Sequence, residues 1–196
     1  SFSFKPHQAF YIPVGHTYPE APKQLGRKEV LKALQPLLED PAYKKYGQNI
    51  KYDYILLAKS GVYLQGIAGD TMIASYLLNP SKHSHSLEEL AREYLDYQVT
   101  TYAEVAGTGA KAIPFNQVDV DKACRYSSED ADLTLLLANL LMPKIEADGF
   151  GDLFHQVEIP LIEVLAVMEM NGVRLDVPLL NFMSREFEEQ LQRISQ

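Results

Sequence analysis

The sequence predicts an α/β protein with its strands early and its helices late. Three observations lead there. Short runs rich in β-formers and broken by Gly and Pro reach to about Ile67. Helical apolar spacing dominates from about Asp121 onward. The composition, 46% hydrophobic and 22% charged over 196 residues, suits one globular domain or one domain with an appendage.

Composition also excludes. The single cysteine, Cys124, rules out a disulfide scaffold and a four-cysteine zinc site, and fits a reducing compartment. No apolar run approaches the ~18 residues of a membrane span. The opening SFSFKPHQAF has neither the basic start nor the apolar core of a signal peptide. It begins abruptly in an apolar alternation, as expected of a longer protein cut inside an element. The net charge is −8, and residues 146–196 hold ten acids against Arg174, Arg185 and Arg193. Such a chain would repel phosphate unless bound cations or a neighbouring domain reverse the sign.

Element by element, Phe4 to Val14 reads as two short strands with a turn near Pro6-His7. Tyr18 to Pro22 is a loop. Val30, Leu31, Leu34, Leu37 and Leu38 stripe a helix from Arg27 to Glu39, in which Pro36 tightens or kinks the last turn and Asp40-Pro41 stops it. Lys45 to Asn49 reads as a brief strand that runs, through Asn49, into a helix bearing Ile50, Tyr54, Leu57 and Ala58. Val62 to Ile67 alternates and predicts another strand. Asp70 caps a helix that ends at Asn79-Pro80, and Ser86-Leu87-Glu88-Glu89 has the capping-box spacing that opens a helix to about Leu95. Residues 98–117, with Gly107, Gly109 and Pro114, read as loop. A long helix from about Asp121 to Ile145 has the stripe Ala123, Tyr126, Asp130, Leu133, Leu137, Leu140, and Asp119 and Asp121 serve as its cap and first-turn charge. Phe150-Gly151 closes this unit. A helix from about Pro160 to Met170 follows, stopped by Asn171-Gly172, and a last helix starts after Asp176. These two need a partner surface, because an amphipathic helix gains little by folding alone.

The chemistry-bearing residues are few. There is no Gly-rich phosphate loop, no G-x-S-x-G and no H-E-x-x-H. Cys124 reads as a packing residue of the long helix, and His83 and His85 as a polar loop. Two places remain. Gly47-Gln48-Asn49-Ile50-Lys51-Tyr52-Asp53 puts an amide at a strand end and a carboxylate one helical turn later on the same side. Alone, Asp53 reads as a comfortable charge near a helix start. Tyr126-Ser127-Ser128-Glu129-Asp130 puts a phenol and a carboxylate four residues apart on one helix face, the face that continues as leucines. A carboxylate there needs a partner, and either a cation or the Tyr126 hydroxyl would serve. Together, Asp53, Tyr126 and Asp130 supply part of the set that hard divalent cations use to hold the attacking and leaving oxygens of a phosphodiester.

At these residues the chain resembles the 3′–5′ exonuclease region of the bacterial DNA polymerase I family (family A). Gly47 to Asp53 matches that family's second exonuclease motif, and Tyr126 to Asp130 its third, the Tyr-x-x-x-Asp form. Tyr11-Ile12-Pro13-Val14, Pro36 to Asp40, Gly66 to Met72, Phe115-Asn116-Gln117 and Glu129 to Asp132 follow in the family's order. Glu158-Ile159-Pro160-Leu161 and Met170-Asn171-Gly172-Val173 resemble the connection into a polymerase region.

The resemblance implies an RNase H-like fold, a mixed sheet flanked by helices. It divides the chain into an exonuclease domain, 1–152, and the start of a polymerase region, 153–196. It implies a two-metal site for Mg²⁺ (or Mn²⁺ or Zn²⁺), with Asp130 a direct ligand, Asp53 acting on the second ion through water, and Tyr126 orienting the attacking water. Gln48, Asn49, Tyr52 and Tyr102 match positions that line single-stranded DNA. The implied activity is removal of nucleoside 5′-monophosphates from DNA 3′ ends, proofreading in replication and repair, in a bacterial cytoplasm, within a DNA-directed DNA polymerase. The family's first motif, Asp-x-Glu on the first strand, has no match, because no Asp here is followed two residues later by Glu. That strand would lie mid-sheet. Its absence predicts exposed strand edges and weak or absent activity of this chain alone. The exposed apolar faces of the last helices predict dimerisation or fraying. The alternatives are a ribonuclease D-like RNA 3′-end exonuclease, or a non-catalytic structural domain of a polymerase.

Overall fold

A computed structural model describes residues 1–195. It is a mixed α/β fold, mostly helical, built around one long helix. Strand β1 (Phe2–Lys5) turns at Pro6-His7 and pairs antiparallel with β2 (Gln8–Phe10), Phe2 opposite Phe10. His7 takes the left-handed conformation, φ 62°, and its N–H donates to Asp132 Oδ1 at 2.7 Å, which pins the hairpin to the long helix. Helix α1 (Arg27–Leu38) contains Pro36 and ends one residue before Glu39. Strand β3 (Lys45–Gly47) leads into α2 (Ile50–Ala58), and β4 (Ile67–Asp70) into α3 (Thr71–Leu78). β3 and β4 pair in parallel, Gly47 opposite Asp70, as two strand-to-helix units side by side require.

The strand expected over Val62–Ile67 lies further on, at Ile67–Asp70. Val62 and Leu64 are buried, so the alternation is real, but it packs on the core without ladder partners. Gly66, at φ 70°, turns the chain into β4; a side chain there would meet the Tyr43 carbonyl at 2.6 Å. Helix α4 (Leu87–Leu95) begins at Ser86, whose hydroxyl accepts from Glu89 N. The loop expected over 98–117 contains α5 (Tyr102–Ala106), closed by a reciprocal capping box between Thr101 and Glu104, then single turns at Gly109–Lys111 and Phe115–Gln117. The glycines and Pro114 masked that Thr-x-x-Glu signal.

Helix α6 (Val120–Ala147) organises the molecule. Asp119 caps it, and α3, α4, α5 and all four strands lie against it. Its buried stripe is Ala123, Leu133, Leu137, Ala138, Leu141 and Ile145; Leu140, expected in the stripe, faces solvent because the face drifts as helical turns accumulate. Leu90, Leu137, Leu141, Ile145 and Phe154 are sealed in one cluster, each of the kind that contributes about 1.5–3 kcal/mol on burial. The two strand pairs share α6 but form separate two-stranded sheets, where the resemblance implied one mixed sheet.

After α6 the chain continues helically through α7 (Gly151–Leu153) and one wider π-type turn, Phe154–Glu158, into α8 (Ile159–Asn171). α8 lays Ile162 and Ala166 on Leu38, Ile50 and Tyr54, and Lys51 pairs with Glu169 across the α2–α8 seam. Helix α9 (Val177–Ile194), capped by Asp176, buries no side chain. Among the described residues no helix is long and apolar enough to cross a membrane.

Candidate active site

The first corner of the site is made where β3 meets α2. Only glycine fits at Gly47, because a Cβ there would stand 2.7 Å from that of Ile50. Asn49 then adopts φ 58°, ψ 48°, a left-handed turn that Asn tolerates better than most residues. The buried Asp70, at the end of β4, fastens this turn. Its Oδ2 accepts from Ile50 N at 2.7 Å, and its Oδ1 from Met72 N at 2.9 Å and Ile73 N at 3.1 Å. One carboxylate therefore holds the starts of α2 and α3 together. Burial pushes the Asp70 carboxyl up, and these bonds pull the other way.

Asp53 projects from the first turn of α2. Its surface is open to solvent, yet surrounding atoms crowd it enough to raise its carboxyl, and Asp70 raises it further. Tyr52, beside it, is 61% exposed, and Asn49 is exposed as well. Gln48 is engaged within the protein. Its Nε2 donates to the His85 carbonyl at 2.7 Å, and its Oε1 accepts from the Thr71 hydroxyl.

The second corner lies on α6. Tyr126 and Asp130 share the helical face that leads to Leu133 and Leu137, so the carboxyl is drawn into a half-buried place. Burial raises Asp130 to about 6; the Tyr126 hydroxyl partly opposes this, while Glu129 and Glu88 add to it. Tyr126 itself is pushed up to about 12, by burial first and then by the Asp130 charge. The phenol is thus a fixed donor at neutral pH. Around it stand Tyr102, edge-on at 6.2 Å, and Phe115 at 6.1 Å, while Tyr102 and Phe115 stack at 6.2 Å with 22° between their planes. Tyr102 remains 47% exposed.

The structure thus brings Tyr102, Tyr126 and Asp130 together. Asp53 keeps different neighbours, and among the described residues no group of three or more His, Cys, Asp or Glu is placed to hold a metal ion. Three contributors lay outside the sequence reading of this site. Asp70 gave only the signal of a helix cap. Glu88 stood only within the capping-box stretch that opens α4. Phe115 carried the resemblance but no role.

The family model for the 3′–5′ exonuclease domain of family A DNA polymerases matches residues 1–146. The chain belongs to this exonuclease family. It is 41% identical over 194 residues to DNA polymerase I of Pseudomonas aeruginosa, covering 97% of this chain and 21% of that protein. It is 37% identical over 194 residues to DNA polymerase I of Chloroflexus aurantiacus, again 97% of this chain and 20% of the relative. The chain therefore spans about a fifth of the length of these relatives. Among solved structures it resembles the polymerase domain of Pol1 from M. smegmatis in complex with DNA primer-template and dNTP, with a TM-score of 0.66, 26% identity, and coverage of 83% of this chain and 25% of that one. Brucella melitensis NrnC shares the fold, with a TM-score of 0.58 at 19% identity over 79% of this chain and 68% of that one. The two motif corners of this exonuclease family member fall on α2 and α6.

Proposed function

We propose that the chain is the proofreading part of a DNA polymerase I and removes nucleotides from DNA 3′ ends during replication and repair. The observation that carries this reading is the Tyr126–Asp130 pair, a donor phenol against a strained carboxylate, beside an exposed aromatic ring, within residues that match the family. Residues 1–152 form the exonuclease unit. Residues 153–196 lead into the polymerase region, with α8 as the surface by which the two adjoin.

Asp130 suits a cation. It is half-buried, and the charged groups acting on it, Glu129 and Glu88, are both acidic. Oxygen donors of this kind fit Mg²⁺ or Mn²⁺ better than a softer ion. When bound, such ions supply the charge that stabilises a displacement at phosphorus. Asp130 would hold the ion directly and Asp53 would act on a second through water. Tyr126 would orient the attacking water. Tyr102 and Tyr52 offer exposed rings on which terminal bases stack, worth about 1–3 kcal/mol per base. Asn49 faces the same strand, and Gln48 contributes by holding the Asn49 turn in place. A mispaired end frays, and so reaches such a single-strand site more readily than a paired one.

These 196 residues hold two of the four carboxylates that two-metal chemistry of this family uses, so we expect this chain alone to digest poorly. The test is digestion of 5′-labelled single-stranded DNA, and of RNA of the same sequence, in Mg²⁺. The substrates are given to a polymerase carrying this chain and to its D53A variant. Loss of DNA trimming in D53A by about 100-fold is expected, as for removal of a group that helps hold a catalytic ion. Preferential trimming of RNA would replace this reading with that of an RNA 3′-end exonuclease, no trimming of either strand would leave a structural domain, and trimming unchanged in D53A would remove Asp53 from the site.

A further inference from the structure

We propose that His16 is a positioning residue for the aromatic platform: seated against Phe115, it fixes the ring on which Tyr102 and Tyr126 lean, and so sets the surface offered to a terminal base. The inference rests on the reading of Tyr102 as a base-stacking ring. His16 is 7% exposed, and both of its ring nitrogens are engaged. Nδ1 lies 2.9 Å from the Val118 carbonyl, which can only accept, so Nδ1 carries a hydrogen. In the neutral ring Nε2 then accepts from the Tyr11 hydroxyl at 2.6 Å. The backbone of His16 is clamped too. Its N–H donates to Gln24 Oε1, and its carbonyl accepts from Gln24 Nε2, each at 2.8 Å.

A segment without regular secondary structure, residues 11–18, is thereby locked onto the start of α6. Thr17 adds bonds to Asn116 and Gln117, and the Tyr18 hydroxyl reaches Asp119 and accepts from Val120 N. The His16 ring meets Phe115 at 6.1 Å, Tyr11 at 5.9 Å and Tyr18 at 6.3 Å. Phe115 in turn meets both Tyr102 and Tyr126. The line from a buried imidazole to an exposed ring has one ring between, Phe115, and Tyr126 packs against both Phe115 and Tyr102. Side chains so packed have little freedom to re-aim. A platform held in this way accepts a base without first ordering itself, which lowers the cost of binding.

The test uses this chain in Ca²⁺-containing buffer, whose cations offset its acidic charge, with a single-stranded oligodeoxynucleotide bearing 2-aminopurine at its 3′ end. The quench amplitude at saturation reports stacking, and the titration reports Kd. His16→Ala should weaken binding about five- to tenfold, the loss of a good part of one stacked base, and lower the saturating quench by about half. His16→Gln, which can still donate and accept, should restore most of the amplitude. Tyr11→Phe keeps the ring and removes the hydroxyl, and should give an intermediate amplitude. A merely structural role would shift the melting temperature and leave the saturating amplitude at the wild-type value. Wild-type amplitude in both His16→Ala and Tyr11→Phe, with amplitude lost in Tyr102→Ala, overturns the proposal. If His16→Ala does not fold, Tyr11→Phe decides by the same criterion. Should Tyr102→Ala also keep the wild-type amplitude, or the wild-type chain show no quench, the base-stacking reading itself fails and the proposal with it.

Discussion

Asp130 is held where an ionised carboxylate is least comfortable, and this cost has a measurable sign. Its folded pKa, about 6, stands above the ordinary carboxylate value, so the folded state favours the protonated form. That contribution to stability is fully present below the unfolded pKa and is lost as pH rises through about 6. Without metal, Asp130→Asn should therefore stabilise the chain at pH 8 by about 1 kcal/mol once solvent screening is allowed for, or about 2–4 °C in Tm, and do little at pH 4. Thermal unfolding in EDTA at the two pH values checks this; equal effects at both would show that the carboxyl is not strained. Tyr126→Phe removes the donor and keeps the ring. It should lower trimming by about 10–100-fold, as for loss of a group that orients a reacting partner, with little change in Kd for single-stranded DNA. This pair was legible in the sequence because helical spacing fixes which residues share a face. Asp70 was legible only as a cap, because its second task, holding Ile50 N, depends on a pairing between β3 and β4 that no local spacing encodes.

At the scale of elements, two joints decide the geometry. The first is the Asp70 clasp on α2 and α3. Asp70→Ala should cost about 1–3 kcal/mol, since it strips one helix of its cap and leaves a buried N–H of the other without a partner. Urea unfolding measures this, and a change below about 0.5 kcal/mol would mean that the clasp is decorative. The second is the leucine ladder of α6, where Leu137→Ala should cost about 2–5 kcal/mol by the same measurement. The helices were legible as elements because their caps and stripes are local: Asp119, Asp70, Ser86 and Asp176 all cap where the sequence places them. β4 was not, since alternation at Val62 and Leu64 marks burial and not pairing, and a strand of this kind is defined by its partner. α5 was obscured because Gly107 and Gly109 follow it so closely that the stretch reads as loop.

For the whole molecule, the division of labour is visible in what is covered. α6 carries a closed core, α8 is seated on α2, and α9 leaves Leu179, Leu180, Phe182, Phe187 and Leu191 exposed. A helix without tertiary partners has only its own marginal propensity. Amides of 177–194 should exchange orders of magnitude faster than those of α6 in a monomeric sample, and slow only where the chain associates; equal protection in a monomer would contradict this. The most direct measurement of the proposed reaction centre places Asp130→Ala in a polymerase that carries this chain and follows, in one preparation, the trimming of 5′-labelled single-stranded DNA and the extension of a primed template in Mg²⁺. The expected result is trimming reduced by about 100-fold or more with extension unchanged. Trimming at the wild-type rate would show that the carboxylate on α6 takes no part in cutting the nucleic-acid end.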